Sequence, residues 1–410
     1  MIEIETALAM IAQVVKPLDP VTMPFDQALG LVLAEDVFAA EAMPPFRAAS
    51  VDGFAVIAAD GAGWRNITGE QMAGSMHDLV VTPGSAARVT TGAPIPPGAD
   101  CMIMVEETQE ADGRVNILTS QPQVGSNIRP IGQDIEAGQL VLARGKLLGP
   151  AELGLLATVG QTQVQVYRRP VVAVMSTGDE IVAPDNALKP GQIRDANRYT
   201  MMSLVRQAGA EPLDMGIIRD QQDGVERNIE QALAQADVLL TSGGVSMGQL
   251  DLVKPYLASR GTVHFGRVNT KPGKPVTFAT VTPLASPLNQ GGMRGVPCFA
   301  MPGFPVSAMV CFELFVRPAL LQMMGHEQIY RPRQAVILGH SFRHDAARTE
   351  FHRVILRRRA DGQLEAESTG AQGSGRLLSL SAANGLVILP HGHGDYEAGA
   401  VVEAMLLEIV

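Results

Sequence analysis

The sequence predicts a multidomain chain of α/β plus β class. It comprises a doubly wound α/β domain, a helical linker domain, a β insertion domain and a small C-terminal β-barrel. Three observations lead there. Between residues 169 and 326, apolar runs of strand length alternate with segments of helical period. Between 46 and 138 the pattern changes to short apolar runs separated by Gly/Pro turns. From 327 to 410 five short alternating segments follow one another with glycine turns. The remaining segments, 1–45 and 139–168, carry the helical periodicity assigned to the linker domain.

In order along the chain, Ile4, Leu8, Ile11 and Val15 recur at helical spacing. Residues 25–36 read as a second short helix turning into a strand. Met43-Pro-Pro stops regular structure, and Asp52-Gly53 is a turn signal. Strands are expected at 54–57, 87–91, 101–105 and 115–118 in the insertion. Helical period returns over 150–159, a segment expected to pack back on the N-terminal helices. In the α/β region, strands are expected at 171–175, 212–218, 238–240, 263–268, 276–280 and 298–300. Helices are expected at 197–208, 223–235 and 251–259, with a final helix running to about 324. That rhythm predicts a parallel sheet covered on both faces, with ligands beyond the carboxyl ends of its strands. The C-terminal strands are placed at 334–338, 351–356, 364–368, 386–389 and 401–407, and 281–295 reads as a surface insertion.

Composition narrows the function classes. A net charge of −10 argues against generic nucleic-acid binding, which needs a basic face. Aromatic residues make up only 4% of the chain, too few for a base-stacking surface. Three widely spaced cysteines, Cys101, Cys298 and Cys311, disfavour a disulfide framework and fit a reducing, cytoplasmic compartment. The N-terminus is acidic rather than signal-like, and no apolar run approaches the roughly 18 residues of a membrane span. There is no GxxxxGK[ST], no GxGxxG after the first α/β strand, no HExxH and no GxSxG, which disfavours conventional ATPase, dinucleotide and hydrolase chemistry.

Four loops concentrate the groups that can do chemistry. In Asp237-Val-Leu-Leu-Thr-Ser-Gly-Gly-Val-Ser246 a buried strand breaks at two glycines flanked by Ser242 and Ser246, a turn suited to an anion at a helix N-terminus. Asp179, Glu180, Asp220 and Asp251 follow strands or open helices; taken singly each reads as a cap, taken together they suit a hard cation and a phosphate. Asn269-Thr-Lys-Pro-Gly-Lys-Pro275 holds Lys271 and Lys274 in a stiff turn fit for an oxyanion, and a solvated basic loop is the plainer alternative. In Pro302-Gly-Phe-Pro-Val-Ser307, Ser307 opens a helix. All four loops are expected on one sheet edge. Spacing alone ties Asp52, Thr91, Arg129, Asp134, Arg353 and Ser374 to none of them.

The ordered set of motifs resembles a known family. Val51-Asp-Gly-Phe-Ala55, Thr90-Thr-Gly-Ala-Pro94 and Gly132-Gln-Asp-Ile135 look like its insertion motifs. Ser176-Thr-Gly-Asp-Glu180, Asp195-Ala-Asn-Arg198, Gly216-Ile-Ile-Arg-Asp220, Thr241-Ser-Gly-Gly-Val-Ser246, Lys271-Pro-Gly-Lys-Pro275, Pro302-Gly-Phe-Pro-Val-Ser307 and Gly370-Ala-Gln-Gly-Ser374 look like the rest. The family is molybdopterin molybdenumtransferase, which includes the carboxy-terminal domain of gephyrin. The resemblance implies a Mg²⁺-dependent enzyme of molybdenum cofactor biosynthesis, whose substrates are adenylylated molybdopterin and molybdate and which releases AMP. It implies an elongated homodimer, with Asp52, Thr91, Arg129 and Asp134 contributed by the partner subunit. It puts Glu180, Asp220 and Asp251 on the metal and phosphate side, with Asp220 and Asp251 as metal ligands, and Lys271, Lys274, Ser307, Arg353 and Ser374 around molybdate. The molybdopterin adenylyltransferase and molybdoenzyme chaperones are further expected partners; nucleic acid and membrane are not. Two alternatives stay open, an adenylyltransferase acting on molybdopterin and a non-catalytic cofactor-holding scaffold. The chain departs from the family pattern at Gln133, Pro130-Ile131, Gln249-Leu250 and Phe304, the last where asparagine is common.

Overall fold

The structure is a computed structural model that describes residues 1–219, 221–243, 252–282 and 295–408. The expected surface insertion at 281–295 lies almost wholly outside the described residues. The chain divides into two compact units, one of residues 1–23, 30–34 and 165–410, the other of 24–29 and 35–164.

In the larger unit, helix α1 (Ile4–Val14) is followed by a six-stranded sheet. Its strands are β1 (Val171–Thr177), β2 (Glu211–Ile218), β3 (Val238–Ser242), β4 (Gly261–Phe265), β5 (Thr277–Val281) and β6 (Val296–Met301), in the spatial order β2-β1-β3-β6-β5-β4. Helices α2 (Asn197–Gln207), α3 (Gln222–Gln235), α4 (Val253–Arg260) and α5 (Pro305–Cys311) cover it. The strands alternate strictly, which is how one sheet feeds two cores. Val172, Val174, Phe299 and Met301 face α1, α2 and α5. Ala173, Met175, Cys298 and Ala300 face α3 and α4. The larger residues stand on the first face, where the tilted rings of Phe278 and Phe299 meet with centroids 4.8 Å apart.

The sheet is mixed rather than wholly parallel: β5 runs against its neighbours β6 and β4. The reason is local. Residues 266–276 join β4 to β5 and contain two prolines and no helix, whereas a parallel return needs a crossover of about a dozen residues or more.

The helix that starts at Pro305 continues through a π turn, Phe312–Val316, to Met323. At 19 residues it has the length and apolar character of a membrane span, against the expectation that no run comes close, but it is the buried core helix of this layer.

The C-terminal strands β7 (Arg333–Leu338), β8 (Thr349–Arg358), β9 (Leu364–Ser368), β10 (Gly385–Leu389) and β11 (Val401–Leu406) close into a five-stranded barrel in the order β8-β9-β7-β11-β10-β8. Val336, Leu356, Val387 and Ala404 fill it, while Phe351, Leu386, Ile388 and Met405 face outward onto the α/β core. The pair Thr270–Lys271 adds to β8 in parallel, opposite Thr349 and Glu350.

The smaller unit holds a six-stranded sheet in the order Cys101–Met104, Gly53–Val56, Ser85–Val89, Gly63–Gln71, Arg114–Ile117, Thr108–Ala111. Gly63–Gln71 is missing from the sequence reading because its polar face interrupts every apolar run. Gly53 opens a strand, and its glycine is a packing requirement: a Cβ there would stand 1.9 Å from the Ile103 carbonyl oxygen. The helix expected within 25–36 is a single 3₁₀ turn, Phe25–Gln27; Gly30, at φ +76°, turns the chain before a second turn can form. Helix Pro150–Thr158 packs against that turn, so the N-terminal partner expected for it is Phe25–Gln27 and not α1.

Strand β3 begins on a fully buried acid. Asp237 accepts both Nη1 and Nη2 of Arg168 at 2.7 Å and the backbone N–H of Val171 at 2.8 Å, locking the starts of β1 and β3 together. Removing a partner from such a pair leaves unpaired polar groups in the interior. Asp237→Ala is expected to destabilise the protein by about 3 kcal/mol, read as a lower urea midpoint; an unchanged midpoint would refute this role.

Candidate functional site

Four strand ends and the barrel converge on a cavity of about 1060 Å³. Its lining includes Ser176–Gly178 and Glu180 after β1, Asp195–Asn197 at the start of α2, Ser242 and Gly243 after β3, Lys271–Pro275 after β4, Pro302–Pro305 and Ser307 at the start of α5, and Gln372–Gly375 from the barrel. The four loops expected on one edge are therefore there, in their described parts. The reversal of β5 does not disturb this, because its amino end lies beside the carboxyl ends of its neighbours.

Two glycines let the loops come so close. At Gly243, φ +90°, a Cβ would sit 2.8 Å from the Thr177 carbonyl oxygen, so only glycine lets the ends of β1 and β3 touch. At Gly178, φ +144°, a Cβ would meet the Glu180 carboxylate at 2.6 Å, so the acid can fold back over the backbone. Asn197 then ties the edge together: its Nδ2 donates to Ser242 Oγ at 2.6 Å and to Gly303 O at 2.7 Å, joining the β3 and β6 loops through α2. Asp195 holds α2 in place, accepting from Ser176 Oγ at 2.9 Å and from the backbone and Nε of Arg198 at 3.1 and 2.9 Å.

The two lysines differ. Lys271 Nζ lies 2.6 Å from Glu350 Oε1, and the other oxygen of Glu350 lies 2.5 Å from His352 Nε2. Glu350 is almost wholly buried and also accepts the backbone N–H of Asp345 at 3.1 Å. Burial pushes its carboxyl up, but the bonds from His352, Lys271 and Asp345 outweigh this and bring it down to about 2. Lys274, by contrast, has no ion-pair or hydrogen-bond partner for its ammonium among the described residues and is exposed in the cavity. The cavity is locally basic, with Arg194, Lys271, Lys274 and Arg348 against Glu180 and Asp195. The net charge of the whole chain is −10.

The structure brings Glu180, Ser242, Lys271, Lys274, Ser307 and Ser374 into one cavity. Ser374 reaches it because its carbonyl accepts the N–H of Val306 at 3.1 Å. Arg353 stands apart from them. It is 1% exposed, its Nε donates to Ser379 Oγ and its Nη2 to Gly373 O, and it lines an adjoining cavity of about 330 Å³ that shares Lys271 and Gln372. Burial pulls its guanidinium down to about 10.

In the smaller unit Asp52 Oδ1 accepts the backbone N–H of Thr91 at 2.7 Å and its hydroxyl at 3.0 Å, and Arg129 pairs with Asp134. The bond from the Thr91 backbone lowers the Asp52 carboxyl, helped by the hydroxyl. Strand Ala48–Ala49 connects the two pairs: Ala49 bonds Gly92 and Ala93 on one side and pairs with Ile128 on the other. Asp220, Ser246 and Asp251 lie outside the described residues.

Three family models match in series. The MoeA N-terminal region (domain I and II) matches residues 2–160, a probable molybdopterin binding domain 173–322, and the MoeA C-terminal region (domain IV) 335–407. The molybdopterin molybdenumtransferase of Nostoc sp. is 35% identical over 93% of this chain and 87% of its own length. The chain belongs to the molybdopterin molybdenumtransferase family. Gephyrin of Dictyostelium discoideum is 37% identical over 93% of this chain, which spans 58% of that longer protein. The crystal structure of a molybdopterin biosynthesis MoeA protein from Pyrococcus horikosii matches over 100% of both chains, with 31% identity and a TM-score of 0.84.

Reading for motifs passed over Glu350, His352, Asn197 and Arg348. Glu350 and His352 did leave a signal: two polar residues at spacing two in the apolar run Phe351–Leu356 and its approach share one face of a strand. Asn197 stood inside a recognised motif with no role given to it.

Because Glu350 is held below its ordinary value of 4.5, its stabilising contribution is complete above about pH 4.5 and is lost as pH falls toward about 2. The gap between the unfolding midpoints of the wild type and Glu350→Gln is expected to be constant near neutrality and to narrow across that acid range. A gap that does not change with pH would show that the carboxylate charge is not what the pair uses.

Proposed function

We propose that the protein is a molybdopterin molybdenumtransferase. It cleaves the phosphate link of adenylylated molybdopterin, releases AMP, and transfers molybdenum from molybdate to the pterin dithiolene. The observation that carries this reading is the convergence of Lys271, Lys274, Ser307 and Glu180 in one large cavity at the strand edge, in a chain of this family. A tetrahedral dianion beside a phosphate link needs donors that are already placed. Lys274 offers a cation among the described residues with no internal partner, and Ser307 lines the cavity from the first turn of α5. Lys271 is oriented by Glu350 before any ligand arrives. Asn197 and Asp195 keep the loops from spreading when like-charged groups enter.

A homodimer would complete the site, with Asp52, Thr91, Arg129 and Asp134 of the partner subunit closing over the cavity. The Thr91 and Asp134 contacts made by Asp52 and Arg129 support this by presenting both as ordered pairs. A magnesium requirement belongs to the same reading, with Asp220 and Asp251 as its ligands. Among the described residues no group of three His, Cys, Asp or Glu side chains could hold a metal, so the described part of the edge does not form that site alone. The cytoplasm is the compartment proposed.

The test is AMP release from adenylylated molybdopterin supplied with molybdate. Lys274→Ala is expected to reduce it about tenfold or more, the loss of a charge-assisted bond worth about 1.5–3 kcal/mol. Asp220→Ala and Asp251→Ala are expected to abolish it while light scattering still shows the dimer. Full activity in both aspartate variants would overturn the reading. So would formation of adenylylated molybdopterin from molybdopterin and ATP, or pterin binding with no turnover.

A further inference from the structure

Phe304 is the sole aromatic residue among the described lining of the large cavity, in a chain with only 12 phenylalanines. It is also one of the most exposed large apolar residues of the protein, at 62%. A phenyl ring left in water in the lining of this cavity contributes little to folding, since exposed apolar surface is not removed from solvent.

Its backbone is nonetheless rigid. Gly303 O is held by Asn197 at 2.7 Å, Pro305 fixes the next residue at the first position of α5, and Phe304 O accepts the N–H of Ala308 at 2.9 Å. Gly375 of the barrel loop lies beside the ring: an added Cβ there would reach Phe304 Cδ1 at 3.4 Å. A glycine there leaves the flank of the ring uncovered. Two further apolar groups, Ile181 and the 55% exposed Ile193, line the same cavity.

An exposed ring on a fixed backbone has two torsions to settle and pays little entropy when a flat partner arrives. We infer that Phe304 is a stacking platform for a planar heteroaromatic ring of the substrate, and so a specificity-determining residue of this chain. The inference rests on the proposed function, whose substrate carries two such rings, adenine and the pterin. Stacking of a base on an aromatic side chain is worth about 1–3 kcal/mol, about 5-fold to 150-fold in affinity.

The experiment is calorimetric titration of wild type, Phe304→Ala and Phe304→Tyr with 5′-AMP, pterin, ribose 5-phosphate and molybdate. The ring that stacks is expected to bind the alanine variant about 5-fold or more weaker and the tyrosine variant as the wild type. Ribose 5-phosphate and molybdate are expected to bind all three proteins equally. Weakening confined to AMP identifies adenine as the partner, and weakening confined to pterin identifies the pterin; both outcomes support the inference. Equal binding of both rings to the alanine and wild-type proteins overturns it and leaves the proposed function standing. Equal weakening of ribose 5-phosphate and molybdate also overturns it, since the loop itself would then have moved; circular dichroism checks that the variant is folded. Failure of the wild type to bind any of the four probes overturns the inference together with the proposed function.

Discussion

Everything at the site depends on how near the ends of β1 and β3 come to each other. Their ladder runs in parallel register up to Ser176 opposite Ser242, and Gly243 then passes 2.8 Å from the Thr177 carbonyl oxygen, measured to where a Cβ would stand. With that approach allowed, both loops leave the sheet at one level and Asn197 can reach across to Ser242 and Gly303. A side chain at 243 would push the two strands apart and release the clamp. The loops that line the cavity are thus positioned by backbone geometry first and by hydrogen bonds second.

The barrel contributes to the same site by a different route. Thr270–Lys271 pairs with β8, so the lysine loop belongs to the barrel as much as to the sheet. That pairing places Lys271 opposite Glu350, an acid almost without solvent. The acid gives the two lysines of the loop different surroundings. Lys271 is paired and held, tying the barrel to the loop, while Lys274 has no ion-pair or hydrogen-bond partner for its ammonium among the described residues. His352 on the second oxygen of Glu350 satisfies the buried carboxylate, which would otherwise be an expensive group in that interior.

The overall charge and the local charge have opposite signs. At physiological ionic strength charges are screened over about 8 Å, so an anion at the cavity mouth responds to the four basic side chains in its lining more than to the distant acidic surface. The net −10 of the whole chain therefore does not stop a small anion from meeting a basic environment there.

Periodicity decided the α/β strands and helices, because a strand buried on both faces must be continuously apolar and a covering helix must not. Val171–Thr177 and Val296–Met301 were legible for that reason, and so were the loops after them, since glycine, proline and serine there have backbone reasons to exist. Strand Gly63–Gln71 was not legible, being half polar, nor was the reversal of β5, which is a matter of neighbours and not of period. The sequence by itself determined which side chains carry charge and which loops end strands. Only the tertiary structure decided that Lys271 is paired and Lys274, among the described residues, is not, and that Arg353 turns into the neighbouring cavity. The physical reason is the same in each case: a side chain's chemistry is local, but its partner is set by contacts between segments as distant as Lys271 and Glu350, which no spacing rule encodes.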